Sequence, residues 1–94
     1  MDLTRHTATE KARADLARRT GASSDSITVV AVDDKDFPDM SLGAPMDGEM
    51  SAQMISSGWE ITLDADGNRY EYRADKYQLR LADWRGTNHL IDVK

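Results

Sequence analysis

Cysteine is absent from this 94-residue chain. Its absence excludes disulfides, cysteine nucleophiles and thiolate metal sites, although it does not identify a compartment. Long apolar runs are also missing: none approaches the ~20 residues that a membrane span needs, and the N-terminus lacks the apolar core of a signal peptide. We therefore expect a soluble cytoplasmic protein, or a fragment of a longer exported one, with no membrane partner.

Positive charge is scarce as well. The chain has 12 Lys and Arg against 17 Asp and Glu, a formal net charge of -5. Phosphate backbones are bound by clustered cations, so nucleic acid is not an expected partner. The length leaves no room for two cores, which predicts a single domain over residues 1–94. Residues 1–6 and 86–94 are the segments most prone to fraying.

Catalytic motifs are few. The two imidazoles, His6 and His89, lie near the chain ends without a serine or acid motif around them. Catalysis needs a nucleophile or an acid–base pair held by a further group, and neither a P-loop nor a dinucleotide fingerprint is present. We expect no enzyme, no catalytic residues and no cofactor.

The surest structural signal is a hairpin between Gly58 and Arg73. Large apolar residues alternate with polar ones on both sides of an Asp66-Gly67 turn: Trp59, Ile61, Leu63, Tyr70 and Tyr72. Asp-Gly suits the positive φ angles of a tight primed turn. A two-residue loop places Leu63 opposite Tyr70 and all the large side chains on one face, so turn and pattern agree on the register.

The same turn has the first three ligand positions of a calcium loop, at Asp64, Asp66 and Asn68. An EF-hand, however, needs glycine at its sixth position and a glutamate at its twelfth, between two helices. Here Gly67 is fourth and Asp75 is twelfth. An ordinary hairpin turn is the better interpretation, and no metal site is expected there.

A helix is predicted at the N-terminus. Thr7 and Glu10 fit a capping box, good helix formers follow to about Arg19, and Gly21 suits a left-handed C-terminal cap. The small residues Ala8 and Ala12, followed by Leu16, form the face that would lie on a sheet; the other face is expected to be solvated: Lys11, Asp15 and Arg18.

Three further segments are expected to be strands. Ile27–Val32 is β-branched and predicts a central strand. Tyr77–Leu81 alternates and continues the hairpin into a meander, and residues 89–94 fit an edge strand. The result is an α+β fold: one N-terminal helix on an antiparallel sheet of three to five strands, with a long structured loop between the first strand and the central hairpin.

The segment from Asp33 to Gly58 breaks the pattern and is much longer than the usual connection of roughly 4 to 6 residues. Residues 39–48 are expected to wrap the sheet edge, and residues 50–55 to add a short strand or one helical turn. The acidic run at residues 33–39 has two interpretations: a site for a hard cation, or a solubilising segment that blocks an edge strand. An enzyme on these acids would use Asp36, Asp39 and Glu49.

Within this segment the chain resembles a family of small bacterial domains. The resemblance is carried by Phe37-Pro38-Asp39, Ser41-Leu42-Gly43-Ala44-Pro45, Gly48-Glu49-Met50, Gln53 and the strand pair that ends in Tyr70-Glu71-Tyr72. The family often has cysteine where Ala44 stands, proline at Asp47 and a different aromatic at Trp59. The resemblance extends from the helix to about Arg73 and implies a compact domain with a structured loop, but no activity; thiol chemistry could not operate with Ala44.

The loop is rich in methionine, a side chain that adapts to irregular cores and to partner surfaces alike. Two outcomes stay open: the apolar loop residues complete the core, or they form a contact surface. Loops on a rigid scaffold carry binding disproportionately. We predict a non-enzymatic interaction module that binds another protein or a second copy through residues 39–55, with these binding residues: Asp39, Leu42, Met46, Met50 and Gln53. Acidic neighbours favour a basic partner.

Overall fold

Five antiparallel strands, paired in chain order, form the sheet within residues 2–94, the part of the chain that this computed structural model describes. The strands are β1 (Thr28–Phe37), β2 (Ser56–Ala65), β3 (Asn68–Ala74), β4 (Gln78–Trp84) and β5 (Thr87–Val93). The α-helix α1 (Arg5–Thr20) comes before them and packs on one face of the sheet. The predicted α+β fold is confirmed.

The central hairpin has the predicted register. Leu63 lies opposite Tyr70 in the pairing of β2 with β3, and Ile61 lies opposite Tyr72. Asp66 and Gly67 form the turn with φ angles of 54° and 81°, the left-handed values of a primed turn. The turn is closed further by the Asp64 carboxylate, whose Oδ1 accepts a hydrogen bond from the Gly67 N–H at 3.1 Å.

The main core lies between α1 and the sheet. Ala8, Ala12 and Leu16 are fully buried, as their four-residue spacing predicts. They pack into one cluster with alternate residues of the strands: Ile61, Leu63, Ala65, Tyr72, Ala74, Leu79 and Leu81. Because alternate residues of a strand face opposite sides, a second set of side chains from β2–β5 faces away from the helix.

The helix begins three residues earlier than the sequence predicts. Thr4, not Thr7, is the N-cap: its Oγ1 accepts from the Thr7 N–H at 3.1 Å, and the Thr7 Oγ1 accepts from the Thr4 N–H at 2.8 Å. The preceding Leu3 is buried and its N–H donates to the Lys76 carbonyl. The buried Leu3 fixes the chain just before Thr4, so the helix begins at Arg5. Gly21 caps the C-terminus at φ 77°, as predicted.

Asp15, expected on the solvated face, is only 5% exposed. Its carboxylate accepts hydrogen bonds from the Tyr72 hydroxyl and the Arg19 Nε, each at 2.7 Å, and from Arg18 at 3.3 Å. Burial, and then the adjacent carboxylate, raises the pKa of the Tyr72 hydroxyl far above its usual range. Asp15 therefore ties the helix to β3, a role that helical periodicity alone does not reveal.

The first strand is an edge strand, so its predicted central position is wrong. Val29 and Val30 remain 38% and 39% exposed, and the register with β2 skips Val30, which forms a bulge. The strand also extends through the acidic residues 33–36 to Phe37. The long connection is therefore residues 38–55, shorter than the predicted 33–58.

Replacing Gly67 with Val should destabilise the hairpin. A Cβ at Gly67 would meet no atom within 4 Å, so the cost comes from the left-handed backbone alone, about 1–2 kcal/mol. Ser57→Val, at an exposed strand position, is the control and should change stability little. Denaturant unfolding of both variants measures this; an unchanged midpoint for Gly67→Val would contradict the turn geometry.

Replacing Asp15 with Ala should leave the buried Tyr72 hydroxyl without its acceptor. We expect a loss of about 2–3 kcal/mol, the range for an unpaired buried polar group and lost charged hydrogen bonds. Asp25→Ala removes a carboxylate that has an exposed position and should stay within about 0.5 kcal/mol of wild type. Equal unfolding free energies for the two variants would show that the Asp15 contacts contribute nothing.

Candidate functional site

Residues 38–55, hereafter the cover loop, lie over the face of the sheet that the helix leaves free. Three residues in or next to the loop are almost completely buried: Phe37 at 1%, Leu42 at 0% and Ala44 at 1% exposed. The loop contains turns but neither the strand nor the helical turn expected at residues 50–55. It covers a face and does not wrap an edge, so that expectation for residues 39–48 is also wrong.

Arg80 is the main anchor of the cover loop. It lies on the free face of β4 with only 4% of its side chain exposed. Its two terminal nitrogens bind the Glu49 carboxylate at 2.5 and 2.7 Å, and Nη1 also donates to the Ala44 carbonyl at 3.1 Å. Nε donates to Gln78 Oε1 at 2.7 Å. This bidentate geometry is the strong form of an arginine–carboxylate pair.

Side chains of three strands bind further loop carbonyls. Arg73 donates to the Leu42 carbonyl at 3.1 Å, Gln78 to the Met40 carbonyl at 2.6 Å, and Asn88 to the Pro45 carbonyl at 2.8 Å. Turns within the loop satisfy only part of its backbone polar groups, so a loop that covers a sheet needs such donors for its other carbonyls. The loop is thus fixed to the sheet by polar contacts.

Asp39 holds the first turn of the cover loop. Its Oδ1 accepts hydrogen bonds from the Ser41 N–H at 2.9 Å, the Ser41 hydroxyl at 2.6 Å and the Gly43 N–H at 3.1 Å. The hydrogen bond from the Ser41 hydroxyl, followed by that from Gly43, lowers the pKa of Asp39. Leu42, inside this turn, has a φ of 59° and points into the interior.

The outward side of the cover loop carries several apolar side chains. Together with β4, β5 and the turn before β4 it forms the apolar surface, defined by these residues: Met40, Met50, Met54, Ile55, Tyr77, Leu90 and Val93. Met50 is 97% exposed, Ile55 73%, Met54 63% and Val93 61%. Isolated exposed apolar side chains are ordinary, whereas a contiguous group marks an interaction site.

The predicted binding residues divide between these two sides of the loop. Met50 lies on the apolar surface, Met46 is 40% exposed, and Gln53 is exposed. Asp39 stabilises its own turn. Leu42 is fully buried, so its prediction as a contact residue is wrong: Arg73 holds its carbonyl, and the turn directs its side chain inward.

Sequence reasoning missed Tyr77, Leu90 and Val93. These residues lie outside the loop that was considered, and only the pairing of β4 with β5 brings them beside Met50. An available signal was the apolar content of residues 89–94, which an edge strand leaves partly exposed.

Each of the acids proposed for an enzyme has a hydrogen-bond partner of its own. Asp36 accepts a hydrogen bond from the Ser57 hydroxyl at 2.7 Å, Asp39 holds its turn, and Glu49 binds Arg80. Across residues 2–94, no group of three or more acidic, histidine or cysteine side chains is arranged to hold a metal ion. In the same residues, no helix is both long and apolar enough to cross a membrane.

Fold and site define a small α+β domain whose sheet is covered by a helix on one face and by an anchored loop on the other. The chain belongs to the family described as Domain of unknown function (DUF8738), which matches residues 9–82. This match includes most of α1, the whole cover loop and most of β4. Neither a curated protein nor a solved structure matches the chain.

Replacing Glu49 with Gln should loosen the cover loop. Arg80 would keep its position but lose a charged partner. Because Arg80 is buried but the Glu49 side chain is 27% exposed, we expect a loss of about 1.5–3 kcal/mol, the range for hydrogen bonds to charged groups. The hydrogen bond from Arg80 lowers the pKa of Glu49 from 4.5 to about 2. The contribution of the carboxylate is therefore full above the unfolded-state value and is lost as the pH falls toward 2.

Unfolding free energies of wild type and Glu49→Gln, measured from neutral pH downward, test this linkage. The difference between them should be largest near neutrality and shrink below about pH 4.5. Glu10→Gln is the control, because Glu10 is half exposed and its contact with Arg13 is a surface pair. A difference that is independent of pH would contradict the charged role of Glu49.

Proposed function

We propose that this domain is a non-enzymatic protein-interaction module that binds its partner through the apolar surface. The observation that carries the proposal is the exposure of Met50, Met54 and Ile55 next to loop residues 40–49, which side chains of the sheet hold in place. A free loop could tuck these side chains inward. Arg80, Arg73 and Gln78 hold the loop at residues 40–49, and the neighbouring Met50, Met54 and Ile55 lie in solvent, where a partner would bury them.

Methionine suits such a surface. Its unbranched, polarizable side chain repacks against different shapes, so Met50 and Met54 can adapt while the anchored backbone stays in place. The binding role of Met46 and Gln53, a bacterial source and a cytoplasmic location stay predictions within this proposal. The alternative, a metal-dependent or small-molecule enzyme on residues 33–39, has no geometric support of its own.

Leu42→Ala and Met50→Ala separate packing from binding. Leu42 is fully buried, so its truncation should cost the ~2–5 kcal/mol typical of a large core residue. Met50 is 97% exposed, and its truncation should leave the unfolding free energy within about 0.5 kcal/mol of wild type. Thermal or denaturant unfolding measures both values.

Partner capture then tests the function. Met50→Ser with Ile55→Ser should abolish retention of the partner from lysate of the source cells, or abolish self-association in sedimentation, at unchanged stability. Val30→Ser is the matched control, since Val30 is an exposed apolar residue on the distant β1 edge. The proposal would be overturned if the double variant and Val30→Ser both retained the partner and the protein were a monomer at every concentration.

A further inference from the structure

The part of the apolar surface beside β5 lies on the face of the sheet that the cover loop occupies. Leu90 is paired with Arg80 and Val93 with Gln78, and directly paired residues face the same side of a sheet. Arg80 and Gln78 turn their side chains to the loop, so Leu90 and Val93 face that side too. With Met50 they line a depression of 360 Å³. Its exposed apolar residues, hereafter the β5 patch, are Met50, Tyr77, Leu90 and Val93.

The cover loop runs along the sheet and back, which places Asp47 at the far end of the β5 patch. Gln78, at the start of β4, holds the Met40 carbonyl. Asn88, which bonds to the backbone near the end of β4, holds the Pro45 carbonyl. The chain turns at Asp47 and returns until a later carbonyl of the loop accepts from the Met40 N–H at 3.0 Å. Asp47 is thus displaced from the start of β4 toward its end.

The two ends of the β5 patch have opposite charge. Asp47 is exposed at one end, and Lys76 is exposed at the other, where its Nζ lies 5.2 Å from the centre of the Tyr77 ring. Within residues 2–94, neither Asp47 nor Lys76 takes part in an ion pair. Between the two ends the Glu49 carboxylate is neutralised by Arg80. The patch is therefore negative at one end, apolar in its middle and positive at the other end.

This order of charges is complementary to itself. A two-fold axis through the middle of the patch reverses its direction, so the Asp47 end of each copy meets the Lys76 end of the other. The net charge of -5 on each copy opposes association. Surface charges that lie more than about 8 Å apart are largely screened at physiological salt, however, whereas partly buried pairs in contact are screened much less. The local contacts therefore outweigh the distant repulsion.

The edge of β5 is poorly suited to pairing with another strand. The register of β5 with β4 skips Ile91, and an irregularity of this kind hinders strand addition at a sheet edge. The neighbouring side chains Leu90 and Val93 are exposed on the loop side of the sheet. A second copy is thus better accommodated face to face, through side chains, than edge to edge.

We infer that the β5 patch binds a second copy of this chain in a dimer with two-fold symmetry. Met50, Leu90 and Val93 pack across the axis, and each Asp47 lies opposite Lys76 of the partner subunit. This inference rests on the proposed function and names its partner as a second copy. Methionine suits the centre of such a contact, because its flexible side chain adapts to an identical surface that approaches it.

Sedimentation equilibrium tests for the dimer. Wild type is measured up to about 1 mM, so that dissociation constants as weak as about 1 mM are detected. Met50→Ser with Val93→Ser should weaken dimerisation by about tenfold or more, as for side chains at the centre of an interface. Val30→Ser is the matched control, since Val30 is an exposed apolar residue on the β1 edge, and it should dimerise like wild type.

Two charge variants test the symmetry. Asp47→Lys puts two lysines in each contact and Lys76→Glu puts two acids there, so each variant alone should dimerise at least about fivefold more weakly. An equal mixture of the two should form a heterodimer about as strong as the wild-type dimer, because each contact then joins a lysine with an acid. Sedimentation of the mixture, with a fluorescent label on one variant, measures this. Heterodimer formation also shows that both variants are folded.

Asp25→Lys is the control for net charge. It makes the same change of charge as Asp47→Lys at an exposed position between α1 and β1. Both substitutions lower the net negative charge equally, so a general repulsion between copies would respond to them alike. We expect Asp25→Lys to dimerise within about twofold of wild type, since surface changes away from a contact have small effects.

Three outcomes would overturn the inference: a wild type that remains a monomer over the whole range, a dimer that Met50→Ser with Val93→Ser leaves unchanged, or a mixture of charge variants that pairs no better than either variant alone. The proposed function is judged separately. If wild type is a monomer while capture of a partner still depends on Met50 and Ile55, the proposed function stands and the second copy is the wrong partner. If neither self-association nor capture depends on the apolar surface, both fall.

Discussion

The buried guanidinium of Arg80 is the constraint on which the second face of this sheet depends. An arginine that is 4% exposed must find an acceptor for every donor it turns inward, because an unpaired buried charge costs several kcal/mol. No neighbouring strand supplies these acceptors on that face. Gln78, Ala44 and Glu49 do, so the cover loop has to lie where it does.

This constraint also decides which loop residues stay in solvent. The inner side is occupied by polar donors of the sheet, which bind the Met40, Leu42 and Ala44 carbonyls, and by the Leu42 side chain. The loop residues therefore differ in burial: Leu42 completes the interior and Met50 remains exposed.

Local signals predicted most of the fold. The Asp66-Gly67 turn and the alternation around it specify the hairpin register, and Gly21 specifies the end of the helix, since each depends on residues close in sequence. Strand order is a non-local property, so the β-branched run at Ile27–Val32 was assigned to the centre although it lies at the edge. Asp15 was misjudged for the same reason: its partner Tyr72 is 57 residues away.

The candidate site was predicted less completely because Arg80, the main anchor of the cover loop, lies in an ordinary strand pattern. Gln78 and Arg80 alternate with Leu79 and Leu81, as on any strand with one wet face, and nothing in that alternation says that a loop covers the polar side. Side chains of the sheet hold the loop at residues 40–49, however, so this part of its backbone is already fixed. The partner proposed above would therefore not have to offset the entropy of fixing that part of the loop.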